Sequence, residues 1–195
     1  MKIGLSNYDD LVGRLLNISS QIGGLASEVS PEISPVFVLE SDRVEWCYLK
    51  GERCMAGGVY VAAVAGQQSV VSFRNPAGSN VLCVIEDGNF ISTAGLVQLF
   101  LGGARTANLT TTGSTLSRDS RQRTQQGACT VTGQAGVAEV GTVVERMDAL
   151  LSNPFRSFPL VLVPGTSVDV SVDTVNVVLY ASFRWSEREL RKYEL

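Results

Sequence analysis

Residues 158–185 read FPLVLVPGTSVDVSVDTVNVVLYASFRW, and the spacing inside this stretch decides the fold class. From Val175 the odd positions Val175, Val177, Leu179, Ala181, Phe183 and Trp185 are apolar, while the even positions hold Asn176, Val178, Tyr180, Ser182, Arg184 and Ser186. A period of two puts one side of a strand on a core and leaves the other to water or a neighbour. Val168, Val170 and Val172 repeat the pattern against Ser167, Asp169, Ser171 and Asp173, which sets both aspartates on the exposed face of their strand. Pro164-Gly165 separates this run from the apolar stretch 158–163. The pair suits the centre of a type II turn, where proline presets the first dihedral and glycine accepts the positive one. The end of the chain therefore predicts three strands joined by short turns.

Strand patterns extend upstream. VFVLE (36–40) gives a first strand, and RVEWCYL (43–49) and ERCMAGGVYVAAVA (52–65) form a hairpin about Lys50-Gly51, with Gly57-Gly58 as a bulge or second turn. SVVSFRN (69–75) and VLCVIEDGNFIS (81–92) flank Pro76-Ala77-Gly78-Ser79 as a second hairpin, and LVQLFLG (96–102) follows. About eight to ten short strands at spacings near ten residues predict an all-β antiparallel sandwich or barrel. This domain is placed at 36–195. Residues 137–156 fit either a helical turn over 143–151 or an irregular strand, and the tail after Trp185 is strongly charged.

Residues 102–136 interrupt the pattern. They are rich in Gly, Ser, Thr and Gln, with Arg105, Arg118, Arg121 and Arg123 against a single acid, Asp119. Such a segment is either a functional loop or an arm that orders only against another subunit. The arginines are candidate subunit or capsid contacts. No aromatic residue interleaves with them to stack bases, which argues against nucleic acid.

Residues 9–30 predict the one α-helix, in an N-terminal segment 1–35 that ends in a Pro31/Pro35 linker. Leu11, Leu15, Ile18, Ile22, Leu25 and Val29 follow a 4-3-4-3-4 spacing, a narrow seam suited to packing helices from several subunits. The competing reading is a helix laid on its own β-domain. Gly13, Gly23 and Gly24 each weaken it by about 1 kcal/mol relative to alanine, so a bundle needs the β-domains to associate as well.

With 195 residues, 45% of them hydrophobic and 18% charged, the chain is globular and poor in surface charge, which hints at surface covered by other subunits. A net charge of −3 argues against broad binding to nucleic acid or an anionic membrane. No apolar run is long enough to span a bilayer, and the acidic start MKIGLSNYDDL lacks the apolar stretch of an export signal. The triplets at Asn17 and Asn108 are then chance matches to a glycosylation site. The four cysteines, at 47, 54, 83 and 129, lack zinc-site spacing. Cys83, inside VLCVI, reads as a buried small hydrophobe. A two-residue turn at Lys50-Gly51 sets Cys47 opposite Cys54, within disulfide reach, although thiols are the default in a reducing cytosol. With no histidine, Ser-His and Cys-His catalysis are excluded, and no phosphate loop or GxSxG motif is present. We expect no enzymatic activity, metal or cofactor.

The order of SVVSFRNPAGSNVLCVIE (69–86), Arg118-Asp119-Ser120-Arg121, FPLVLVPGTSVDV (158–170) and TVNVVLYASFRWSERE (174–189) resembles that of β-sandwich virion structural proteins of tailed bacteriophages. The features that carry the resemblance are Asn75 to Gly78, Pro164-Gly165, and the closing Phe183-Arg184-Trp185-Ser186-Glu187, and together they span roughly 68–188. The resemblance implies a jelly-roll-like domain in a virion, serving capsid decoration or a head, neck or tail attachment. The expectation is a homo-oligomer, a trimer, that cements the shell through contacts with itself and with the major capsid or other virion proteins. The rival is a receptor- or carbohydrate-binding jelly roll of a tail or fibre, with Trp46, Tyr48 and Tyr60 as stacking aromatics.

Overall fold

A computed structural model of the chain describes residues 52–122, 124–148 and 156–191, with side chains from 159 onward in the last segment. All of them belong to one unit, Ser41–Leu195. The predicted helix, its seam residues Leu11, Leu15, Ile18, Ile22, Leu25 and Val29, and the strands expected over 36–49 lie outside the described residues, as does 149–155.

The described chain is all-β. Its strands are β1 (Arg53–Val61), β2 (Ser69–Arg74), β3 (Val81–Ser92), β4 (Leu96–Gly103), β5 (Thr111–Thr112), β6 (Ser114–Ser117), β7 (Thr130–Ala135), β8 (Thr142–Asp148), β9 (Arg156–Leu162), β10 (Ser167–Val172) and β11 (Leu179–Glu189). A 3-10 turn, Ser120–Gln122, follows β6. Sheet A has the order β6-β1-β11-β3-β9 and sheet B the order β5-β7-β2-β10-β4-β8, with every pairing antiparallel. The ambiguous stretch 137–156 contains β8, a strand.

No two consecutive described strands are paired. The long strands instead match from the outside inward: β1 with β11, β2 with β10, β3 with β9, β4 with β8. A single antiparallel ribbon has been wound so that successive rungs fall in alternate sheets, and 104–141 is inserted at its tip, between β4 and β8. This corrects the second hairpin: β2 lies in sheet B and β3 in sheet A, so 75–80 crosses between layers. The same holds for β10 and β11. Alternation reports which face a residue takes, and it is silent on which strand lies alongside.

The turn chemistry explains how the layers are joined. Thr166 N–H donates to the Val163 carbonyl at 3.2 Å, and Gly165 has φ of 87°, as a type II turn with proline first requires. Asn75 is fully buried beside it. Its side-chain amide donates to the Val81 and Leu162 carbonyls, each at 3.0 Å, while its backbone carbonyl accepts the Gly165 N–H at 2.9 Å. One asparagine thus ties the β2–β3 crossing to the β9–β10 turn.

The core lies between the sheets. Val177, Leu179, Ala181, Phe183 and Trp185 are buried as the alternation predicts, whereas Val175, ahead of the strand, is exposed. Phe73 of sheet B meets Phe183 at 5.2 Å and the edge of Trp185 at 5.0 Å between centroids. Gly57 and Gly58 do not turn the chain: the β1–β11 register runs unbroken through both. A side chain at Gly57 would overlap the Ser114 carbonyl oxygen and come within 3.0 Å of Trp185 Cη2, so this glycine lets β6 and the indole close on β1.

Candidate contact surface

The two outer faces of the sandwich differ, and the inserted segment is the reason. Leaving β4, it crosses the outside of sheet B over β10, β2 and β7. Arg105 N–H donates to Ser167 Oγ at 3.0 Å, Asn108 Oδ1 accepts from Arg74 Nη1 at 3.0 Å, and Leu109 N–H donates to Thr132 Oγ1 at 3.2 Å. Asp169 anchors both ends of the excursion. Its carboxylate forms an ion pair with Arg105 and accepts the Val140 N–H at 2.9 Å, while Arg105 also donates to the Ala138 carbonyl at 2.9 Å. Asp169 does point away from the core, but the expectation that it meets water is wrong, because the arm encloses it completely. The arm lies against its own sandwich, which supplies these contacts.

The arginines of the arm are all engaged within the chain where they are described. Arg105 is nearly enclosed against Asp169. Arg118 pairs with Glu86 at 3.0 Å. Arg121, half-exposed, grips Asp119 through backbone N–H, Nε and Nη2 at 2.8–2.9 Å. The Arg121 side chain holds the Asp119 carboxyl below its ordinary value. Arg123 lies outside the described residues.

Among the described residues, no segment covers the outer face of sheet A in this way. Tyr60 of β1 faces Tyr180 of β11, which faces Ile91 of β3, and all are exposed. The next row is low: Gly58, Ser182 and Asn89. Leu116 on β6 and Val161 on β9, both more than half exposed, border the far side. Of nine large hydrophobic residues exposed among the described residues, five (Tyr60, Ile91, Leu116, Val161, Tyr180) therefore share one face, which concentrates apolar surface as an interaction site would.

Two ion pairs complete this face. A register shift in β3 between Ile85 and Asp87 makes Glu86 an extra residue, so Glu86 and Asp87 both bear charges that meet arginines, Arg118 and Arg184. Arg118 reaches β3 across β1 and β11, along the row of Cys54 and Ser186, both buried. Asp87 stands 3.7 Å from Arg184, and its Oδ1 is buried without a hydrogen bond. Burial, aided by the Glu86 carboxylate, raises the Asp87 carboxyl above its ordinary value despite Arg184.

Cys54 is buried, and its carbonyl accepts the Arg118 N–H at 2.8 Å; Cys47, the partner expected for it, lies outside the described residues along with Trp46 and Tyr48. Cys83 is buried as expected. Sequence reasoning missed that Cys129 meets it: a hydrogen bond to Cys83, together with burial and the nearby Glu187 carboxylate, pushes the Cys129 thiol far up. It also missed Glu187, enclosed at the end of β11 and accepting the Ala128 and Cys129 N–H groups and Trp185 Nε1–H at 2.8, 3.0 and 2.8 Å. Only its place in an alternating strand, on the core side two residues after Trp185, could have marked it. No protein-family model, curated protein or solved structure matches the chain at a significant level.

Proposed function

We propose that this chain is a non-enzymatic, jelly-roll structural protein of a tailed-bacteriophage virion, which decorates or cements the shell through contacts with copies of itself and with capsid proteins. The outside-in pairing of a single wound ribbon supports the jelly-roll reading. The observation that carries the role is the asymmetry of the sandwich. One outer face is closed by the chain's own arm, while no other described residue covers the second, where exposed apolar side chains cluster. A surface of that kind serves recognition. A protein that binds only assembled shells stabilises them by mass action. The 11–29 seam suits a threefold bundle that would gather the sandwiches on one side. Co-sedimentation of the purified chain with empty shells tests the role: retention with the shells is expected, and a chain that stays in the supernatant and is monomeric at micromolar concentration would refute it.

The exposed Tyr60–Tyr180 pair favours one second reading, a receptor- or carbohydrate-binding jelly roll at a tail or fibre. Saturable binding on a glycan array by a chain that ignores shells would select it.

A further inference from the structure

We propose that the outer face of sheet A is an isologous interface, covered by the same face of a second copy across a twofold axis. This rests on the reading of the chain as a self-associating structural protein, and names the surface used.

An isologous contact presents a patch to itself, so the patch must be self-complementary in charge and shape. This one is. Over the rows that carry the exposed apolar side chains, the cations Arg118 and Arg184 are matched by the anions Glu86 and Asp87 within each copy. A twofold partner therefore meets no uncompensated charge of its own sign, and the charges already have counter-ions when water leaves. A strongly acidic or basic partner, nucleic acid included, would find no net field here to complement. In shape, the face is a sheet whose middle row, Gly58, Ser182 and Asn89, is short, between the Tyr60–Tyr180–Ile91 row and the Leu116 and Val161 borders. Two such faces can approach closely, each setting apolar rows against the other.

The size also fits. Five strands about 4.8 Å apart, with four outward rows about 6.8 Å apart, give roughly 600 Å² per copy. A stable, specific interface takes about 800 Å² per partner, so the dimer belongs at the weak end of that class and dissociates on dilution. A saccharide explains the surface less well: it would use the two tyrosines and leave the aliphatic Ile91, Leu116 and Val161 unaccounted for.

Sedimentation velocity of the full chain from submicromolar to tens of micromolar tests this, with Leu116→Lys and Tyr180→Lys on the face and Val144→Lys, on the exposed edge strand β8, as control. Hydroxyl-radical labelling of Tyr60 and Tyr180 is read in parallel. Wild type and V144K should reach at least twice the mass of L116K and Y180K, the factor being two where the twofold axes meet any threefold axis that the N-terminal seam adds. Both tyrosines should be protected several-fold in the assembly and become reactive on dilution. A wild type no heavier than L116K overturns the proposal, as does equal weakening by V144K. So do tyrosines that stay protected at dilutions where the mass has halved, which would mean that the chain's own N-terminal segment covers them. Glycan binding lost in Y180K with sedimentation unchanged would assign the face to a saccharide instead. If L116K loses the mass doubling but still binds shells, the dimer stands apart from the virion role; if wild type doubles but ignores shells, the virion role fails and the interface stands.

Discussion

Asp169 shows how far a single side chain governs this fold, since removing it would leave Arg105 charged and nearly enclosed. Breaking a buried pair from one side costs about 3–5 kcal/mol. Asp169→Ala should therefore lose about that much in urea unfolding, and a double replacement of Asp169 and Arg105 by apolar residues should recover part of it; a single variant within ~0.5 kcal/mol of wild type would show that the pair does not hold the arm. Two other aspartates titrate in opposite directions. Asp119 is lowered by Arg121, so its contribution is complete above the unfolded value of 3.8 and is lost as pH falls through the lower folded value. Asp87 is raised by burial, so the folded state holds that proton longer, and stability falls as pH rises from 3.8 through the folded value. In parallel unfolding curves, Asp87→Asn should be at least as stable as wild type at neutral pH, with the difference closing toward pH 3.8, while Asp119→Asn should be less stable at neutral pH and converge with wild type in acid. A neutral-pH loss in D87N would remove burial as the dominant influence on Asp87.

At the scale of elements, Gly57 is where β1, β6 and the Trp185 indole come together. Gly57→Ala must move a carbonyl or the ring, an overpacking that costs about 1–3 kcal/mol and should shift Trp185 fluorescence in the folded state; an unchanged spectrum and stability would mean β6 yields freely. What could be read in advance divides along the same line. The faces of 168–172 and 177–185 were legible, because period-two alternation is a local property, and so was the Pro164-Gly165 turn. The partners were not: SVVSFRN and VLCVIE look like a hairpin, yet Asn75 holds the link between them against a turn nearly ninety residues away. The arm was equally opaque, because polar contacts fix it and leave no apolar period to read. For the contact surface, Tyr60 could be nominated as an aromatic, but Leu116 and Val161 join it only through the sheet order.

At the scale of the whole molecule, every pairing among the described strands is non-local in the chain. Closing such loops precedes the contacts that reward closure, so refolding should take milliseconds to seconds or longer, in the range of all-β sandwiches. Stopped-flow Trp185 fluorescence reads this, and a microsecond phase carrying the full amplitude would be incompatible with the wound ribbon. Among the described residues the arm closes sheet B and nothing closes sheet A, and the proposed role rests on that difference. Cryo-electron microscopy of the particle that carries the chain tests it most directly. The account predicts sandwich density on the shell with Tyr60, Tyr180 and Leu116 buried against another chain. A particle without that density, or one in which the outer face of sheet A looks onto solvent at every copy, would contradict it.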